Sequence, residues 1–242
     1  MKEPIIKILR KIRGKFTRFL YPRNEYFLFD TTQSRKNSLK PISIKYGFDR
    51  GKPIDRYYIE NFLEKNSACI KGACLEVTDN EYTKRFGGNR VTISDVLDFD
   101  KGNKNANIYS DLRNPTNIND ETYDCLIMTQ VFVMIDDYES AVKECWRILK
   151  PGGTLLVTMP CLSPVWNKAG HHWRWTEASG NYIFNKCFPH SELVIETYGN
   201  ALVGQAYWVG MSCEDLTKEE LEYNDSYFPV TVTIKVVKKS LR

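Results

Sequence analysis

The sequence predicts an α/β fold in which helices cover both faces of a doubly wound, mostly parallel sheet. Short runs of apolar and β-branched residues alternate with helical segments, which is typical of parallel strands buried on both faces. The clearest helix, residues 137–149, ends at Lys150-Pro151-Gly152-Gly153, because proline cannot continue a helix and glycine permits the turn that follows. At 242 residues, one domain with appendages and a large core is expected.

Seven segments are predicted to be strands. They are residues 74–77, 91–94, 107–109, 123–128, 154–159, 193–198 and 229–237. The last one alternates and ends in two lysines, which favours a position at or near a sheet edge. Further helices are predicted at residues 54–63 and 176–187. Arg50, Asp55 and Arg56, around the start of the first of these, either contact a ligand from a lid or form salt links at the helix start.

Polar side chains follow the predicted strands. Glu76 and Asp79 close the first strand, Asp95 ends the second, Asp111 follows the third and Gln130 follows the fourth. Because parallel sheets of this kind bind their ligand beyond the carboxyl ends of the strands, these five residues are candidate binding residues.

The charge is distributed unevenly along the chain. Residues 1–23 carry eight basic side chains and one acidic side chain, whereas the whole chain has a net charge of only +4. Within this arm, apolar residues at helical spacing oppose a Lys/Arg face, which predicts a helix that binds an anionic membrane surface or a partner protein. The predicted organisation is therefore a basic amphipathic helix at 1–23, an extension at 24–53 and a main domain at 54–242.

Composition excludes several other classes. The seven cysteines show no CxxC pair and no metal-ligand spacing, so we expect reduced thiols and no metal site. No apolar run is long enough to predict a membrane span, and the N-terminus lacks the apolar core of a secretory signal. Because the basic bias is confined to the arm, no nucleic-acid partner is expected. A cytoplasmic protein, peripheral at the inner face of the membrane, is expected.

The order of elements resembles the class I S-adenosylmethionine-dependent methyltransferases, in their type 11-like branch. The resemblance covers about residues 54–242 and is most specific at residues 145–160, CWRILKPGGTLLVTMP, which are similar to the R-x-L-K-P-G-G-x-L-x-x-x-x-P passage of the small-molecule methyltransferases. Residues 123–127 resemble the fourth strand of that branch. The resemblance implies a Rossmann-like, seven-stranded sheet whose last strand is antiparallel.

Other segments are similar to a bacterial subgroup that is often linked with surface-polysaccharide genes. These segments are residues 51–60, Tyr82-Thr83 with Phe86-Gly87, residues 94–97, 172–176 and 198–200. The likeness implies a small-molecule or glycan acceptor.

The resemblance also implies roles for the candidate residues, with S-adenosylmethionine as the cofactor. Asp95 would accept hydrogen bonds from the two ribose hydroxyls, and Asp111 would accept one from the adenine amino group. Leu112 would lie flat beside the adenine, and Gln130 would lie where the site opens toward the acceptor. His171 and His172 are the candidate catalytic bases, because an imidazole exchanges protons near neutral pH.

The loop after the first strand departs from the family pattern, a glycine-rich E/D-x-G-x-G-x-G. Glu76 is present, but Thr78, Asn80 and Tyr82 stand where the family has glycines. Because Asp79 and Asn80 tolerate the left-handed conformation, the turn is expected there, with Tyr82 near the methionine moiety of the cofactor. Two hypotheses follow: a methyltransferase, or a catalytically inactive relative that has lost the cofactor and serves as a binding or scaffolding module.

Overall fold

A computed structural model describes residues 39–165 and 170–239. The chain divides into two compact units. The sheet unit contains the described residues of Ile59–Cys161, Val165–Thr197 and Val232–Arg242, and the smaller unit contains those of Met1–Tyr58, Leu162–Pro164 and Tyr198–Thr231. The predicted basic helix at residues 1–23 lies outside the described residues.

Seven strands form one sheet with the order β3-β2-β1-β4-β5-β7-β6. They are β1 (Gly72–Val77), β2 (Val91–Asp98), β3 (Ile108–Tyr109), β4 (Tyr123–Thr129), β5 (Leu149–Pro160), β6 (Glu192–Tyr198) and β7 (Thr231–Val237). The pairs β1–β2, β1–β4, β2–β3 and β4–β5 are parallel. The predicted doubly wound, mostly parallel sheet is confirmed.

Strand β7 runs against the direction of β5. The backbone N–H of Gly152, near the start of β5, donates to the carbonyl of Lys238 at 2.7 Å, whereas that of Leu162, past the end of β5, donates to Val230 at 3.2 Å. Residue numbers therefore rise along one strand while they fall along the other. Because β7 lies between β5 and β6, the predicted antiparallel last strand, next to a sheet edge, is confirmed.

Helices cover both faces of the sheet. The helices are α1 (Ile54–Lys65), α2 (Tyr138–Ile148), α3 (Glu177–Cys187), α4 (Ala201–Trp208) and α5 (Lys218–Glu222). One face packs against α2 and α3, which contribute residues such as Val142 and Phe184 to the larger core cluster. The other face packs against Phe62 and Leu63 of α1. None of the described helices is long and apolar enough to cross a membrane.

The passage from α2 to β5 differs in detail from its prediction. Asp137 caps α2 by accepting a hydrogen bond from the backbone N–H of Ser140. The helix ends at Ile148, but β5 begins at once with Leu149, so the Pro-Gly-Gly segment forms an irregularity inside the strand and not a connecting turn. The Nζ of Lys238 donates to the carbonyls of Trp146 and Leu149, which satisfies the carboxyl end of α2.

The smaller unit is held together by its own apolar cluster and by a buried ion pair. The cluster joins the first turn of α1 to α4 and α5 through residues such as Ile54, Tyr207 and Leu221. The guanidinium of Arg50 donates to both carboxylate oxygens of Asp215, at 2.9 and 2.8 Å. The salt link predicted for Arg50 is therefore present, with Asp215 as its partner.

Candidate functional site

The sheet unit contains a cavity of about 570 Å³ at the carboxyl ends of β1 to β4. This volume lies in the range of small-molecule sites. The cavity is lined by residues at or beyond the strand ends: Val77, Thr78, Leu97–Phe99, Ser110–Arg113, Thr129–Val131, Met134–Asp136, Gly170 and His172. It therefore lies at the edge of the sheet where the sequence predicts ligand binding.

Asp98, and not Asp95, is the acidic residue at the end of β2. The prediction that this strand ends at Asp95 is wrong, because β2 continues to Asp98. Asp95 lies opposite Leu75 in the middle of β1, away from the cavity lining. Its carboxylate accepts hydrogen bonds from Asn107 Nδ2 at 2.7 Å and from the Tyr123 hydroxyl at 2.9 Å. The missed signal is the apolar pair at positions 96 and 97, which shows that the strand goes on.

Asp98 lines the cavity, and its carboxylate keeps free acceptor capacity. One oxygen accepts from the backbone N–H of Asp100 at 2.9 Å, and the other accepts from Asn103 Nδ2 at 2.7 Å. Since each carboxylate oxygen can accept two hydrogen bonds, each has one further position. These bonds fix the orientation of a side chain that is only 8% exposed.

Two of the predicted binding residues, Asp111 and Leu112, line the cavity next to β3. The lining also contains Arg113 and Asp136, which were not predicted from the sequence. The Arg113 guanidinium lies between the two carboxylates: its Nε is 2.9 Å from Asp111 Oδ2 and its Nη1 is 2.7 Å from Asp136 Oδ1. Hydrogen bonding from Arg113 lowers the pKa of Asp111. The rim of the cavity therefore holds a charged cluster of two anions and one cation.

Glu76 does not line the cavity, but its carboxylate holds the loop after β1 through hydrogen bonds. Its side chain is 3% exposed, and one carboxylate oxygen accepts from both the backbone N–H and the hydroxyl of Thr83, each at 2.8 Å. The backbone N–H of Tyr82 donates to the other oxygen at 3.4 Å. Burial raises the pKa of Glu76 to about 7, and the hydrogen bonds from Thr83 oppose that shift.

Replacing Glu76 by glutamine is expected to change how stability depends on pH. Since the pKa of Glu76 is higher in the folded chain than in the unfolded chain, folding favours the protonated form. The contribution of Glu76 to the free energy of unfolding is fully present below its pKa in the unfolded chain and is lost as the pH rises toward 7. The loss is about 3 kcal/mol at most. Urea unfolding between pH 4.5 and 8 should show this loss in the parent chain and not in Glu76→Gln. Glu81→Gln, an exposed change in the same loop, should keep the parent profile; a Glu76→Gln profile like the parent's would contradict the assignment.

The left-handed residue of the loop is Thr78. Its φ is +75°, whereas neither Asp79 nor Asn80, where the turn was expected, has positive φ. Thr78 stands at the first glycine position of the family pattern, and a β-branched residue is strained there. Asp79 lies outside the cavity lining, and its carboxylate accepts from the backbone N–H of Glu81 at 2.9 Å. The loop thus keeps a glycine-like backbone without the glycine.

Thr78→Gly is expected to stabilise the fold by about 1 kcal/mol, because relief of backbone strain exceeds the extra entropy of glycine in the unfolded chain. Chemical denaturation measures the change. Thr92→Gly, at an exposed threonine of β2 without positive φ, should instead destabilise the fold by about 0.5–1 kcal/mol. Equal losses in the two variants would contradict strain at Thr78.

Tyr82 does not occupy the cavity. The expectation that it lies near a methionine moiety is wrong, because its side chain is 7% exposed and belongs to the core cluster beside α1. Its ring lies 5.9 Å from that of Phe86. Tyr82 directly precedes the π-helical turn Thr83–Gly87 and is not part of the cavity lining, so the bulky residue at a family glycine position leaves the cavity open.

The comparisons with known proteins agree with this architecture. A family model described as a methyltransferase domain matches residues 82–157. No curated protein matches the chain. Among solved structures, a methyltransferase from Archaeoglobus fulgidus, described as SAM dependent, is similar with a TM-score of 0.52 and 11% identity over 76% of this chain and 94% of that one.

Two further structures have the same fold. A protein from Galdieria sulphuraria, described as a putative sarcosine dimethylglycine methyltransferase, gives a TM-score of 0.52 and 14% identity over 77% of this chain and 90% of that chain. The [4+2]-cyclase SpnF gives a TM-score of 0.51 and 11% identity over 75% of this chain and 80% of that chain. The chain therefore has the fold of these methyltransferases.

In this methyltransferase fold, Gln130 follows β4 and lines the cavity. Its φ is +58°, and its backbone N–H donates to the carbonyl of Thr158 in β5 at 2.8 Å. The side-chain Nε2 is buried and has no hydrogen-bond partner among the residues that the structure describes.

The two candidate bases have different positions. His172 lines the cavity, and its backbone N–H donates to the carbonyl of Val133 at 2.9 Å. His171 is not part of the lining, and burial, together with the nearby charges of Arg174 and His172, lowers its pKa. Of the two candidate bases, His172 is the one that lines the cavity.

Proposed function

We propose that the chain is an S-adenosylmethionine-dependent methyltransferase that acts on a small-molecule acceptor. The observation that carries the proposal is the cavity at the carboxyl ends of β1–β4, with Asp98 and Asp111 near β2 and β3 and with Gln130 and His172 beyond β4. In this proposal, the adenosine of the cofactor would bind beside Asp98 and Asp111, and the acceptor would bind beside Gln130 and His172.

The chemistry of the lining fits the cofactor. Asp98 has acceptor positions for the ribose hydroxyls and lies at the carboxyl end of β2. Asp111 would accept from the adenine amino group, beside the apolar surface of Leu112. Thr78 lines the cavity with a positive φ, and Glu76 and Asp79 would act by shaping its loop.

The cofactor, when bound, supplies an activated methyl group. The chain would contribute mainly positioning and exclusion of water, since an in-line displacement needs aligned reactants. His172 would accept a proton from a hydroxyl or amine acceptor.

Calorimetric titration of the full chain with S-adenosylmethionine and S-adenosylhomocysteine tests the proposal. We expect saturable binding of both, with micromolar dissociation constants, and no binding of NAD as a control. Absence of heat and of a thermal shift with both ligands at millimolar concentration would refute it.

The alternative function is a catalytically inactive module with the same fold. The replaced glycines favour it, and the [4+2]-cyclase shows that proteins of this fold have other activities. The same titration separates the two functions, because the module has no reason to bind S-adenosylhomocysteine.

A glycan acceptor in surface-polysaccharide synthesis and attachment to an anionic membrane are finer proposals that rest on the sequence alone. The attachment would be made in the cytoplasm by residues 1–23. Liposome pelleting of the full chain against a chain that begins at Arg23 tests it; equal pelleting would remove the idea.

A further inference from the structure

We infer that Gln130 binds the acceptor, and that the acceptor reacts through a neutral hydroxyl group. The inference rests on the proposed function and names the substrate class of the same site.

Gln130 has a strained backbone conformation and a side-chain N–H group without a hydrogen-bond acceptor among the described residues. A left-handed backbone at a glutamine is unfavourable and persists only where the surrounding structure enforces it, here through the bond from its N–H to Thr158. A buried amide nitrogen that no described residue accepts from is also unfavourable. Both features occur in one residue that lines the cavity, which points to a ligand that completes the hydrogen bonding.

The chemistry of Gln130 restricts the group that it binds. The amide nitrogen only donates, so its partner must carry a lone pair. An ammonium group has none and cannot accept the hydrogen bond from Nε2. A hydroxyl or carbonyl oxygen qualifies.

The charges of the lining restrict the acceptor further. Among the described lining residues, Asp98, Asp111 and Asp136 are acidic, and Arg113 already pairs with two of these carboxylates. A carboxylate or phosphate acceptor would meet a surplus of negative charge. Three apolar residues that follow Gln130 in the sequence, Val131, Met134 and Ile135, line the same cavity. They favour an uncharged molecule.

A hydroxyl group satisfies both restrictions and permits a balanced transfer. The oxygen accepts a hydrogen bond from Gln130 Nε2 and forms the new C–O bond as the methyl–sulfur bond breaks. The electron pair of that bond stays on sulfur, and the hydroxyl proton moves to His172. The products are the methyl ether and S-adenosylhomocysteine.

The first test measures Gln130→Leu in the full chain. The change removes the unpartnered donor at nearly constant volume, so we expect the melting temperature to rise by about 3 °C. The dissociation constant of S-adenosylhomocysteine should stay within twofold. The matched control is Gln205→Leu, since the amide of Gln205 donates to the carbonyl of Ala201, and it should not raise the melting temperature.

The second test uses three probes of similar size with S-adenosylhomocysteine present: phenol, benzoate and benzylammonium, followed by ligand-observed NMR. We expect phenol to bind best and Gln130→Leu to weaken phenol binding about tenfold.

Each opposite result has a distinct meaning. If the parent chain fails to bind S-adenosylhomocysteine, the proposed function fails. If it binds, the inference alone is overturned by a lower melting temperature in Gln130→Leu, by a parallel loss of cofactor affinity, or by phenol binding no better than the charged probes.

Discussion

Replacing Asp98 by asparagine is expected to weaken the binding of S-adenosylhomocysteine about 30-fold. A hydrogen bond to a charged group contributes about 1.5–3 kcal/mol, and a loss of about 2 kcal/mol corresponds to this factor. Asparagine keeps the size of the side chain and an oxygen that can accept from the backbone N–H of Asp100. Its amide nitrogen cannot accept from Asn103 Nδ2, so the melting temperature of the variant is measured as well, to confirm that it is folded. Isothermal titration of parent and variant measures the change.

Asp95→Asn is the matched control for this prediction. Asp95 lies in the middle of β2, and its carboxylate accepts hydrogen bonds from Asn107 and Tyr123. Its replacement should therefore lower stability and leave the cofactor affinity within twofold. The reverse ranking, with a large loss of affinity in Asp95→Asn and none in Asp98→Asn, would refute the position of the ribose carboxylate.

Replacing Arg50 by methionine is expected to lower the free energy of unfolding by about 3–5 kcal/mol, because Asp215 would remain buried as an uncompensated charge. The side chains of Arg50 and Asp215 are 1% and 4% exposed, so water replaces little of the lost interaction. Asp215 also accepts from the backbone N–H and hydroxyl of Ser212, and these bonds alone do not neutralise it. Urea denaturation measures the loss.

The double variant Arg50→Met with Asp215→Leu separates charge burial from packing. Since neither charge is then left alone, much of the lost stability should return. Lys218→Met removes one partner of an exposed pair with Glu222 and should change stability by no more than about 0.5 kcal/mol. A double variant that is less stable than Arg50→Met would contradict the assigned cause.

The sequence was sufficient for the sheet and the helices on both faces, because these follow from local periodicity, whereas the antiparallel direction of the last strand was predicted from the family resemblance. It was not sufficient for the end of β2. A carboxylate inside a strand looks like a strand end, and Asp95 is tolerated there only because Asn107 and Tyr123, from 12 and 28 residues further along, donate to it. Such partners are invisible to a local pattern.

The loop after β1 illustrates a second limit. Residue preferences favoured Asp79 and Asn80 for the left-handed turn, yet Thr78 adopts it. The N–H of Thr78 donates to Leu97 of β2 at 3.0 Å, and its carbonyl accepts from Asn103 Nδ2 at 2.7 Å. These tertiary bonds outweigh the local preference of a threonine, and the charged cluster around Arg113 is likewise visible only once the strand ends are assembled.

The place of β7 between β5 and β6 has a consequence for biosynthesis. The ribosome makes β7 after the six other strands of this sheet, so the nascent chain carries two unpaired strand edges until β7 emerges. One of them belongs to β5, whose side chains from Gly153 to Pro160 are all buried in the finished fold. Closure of the sheet therefore waits for β7, and until then this apolar edge is open to association with other nascent chains or to a chaperone.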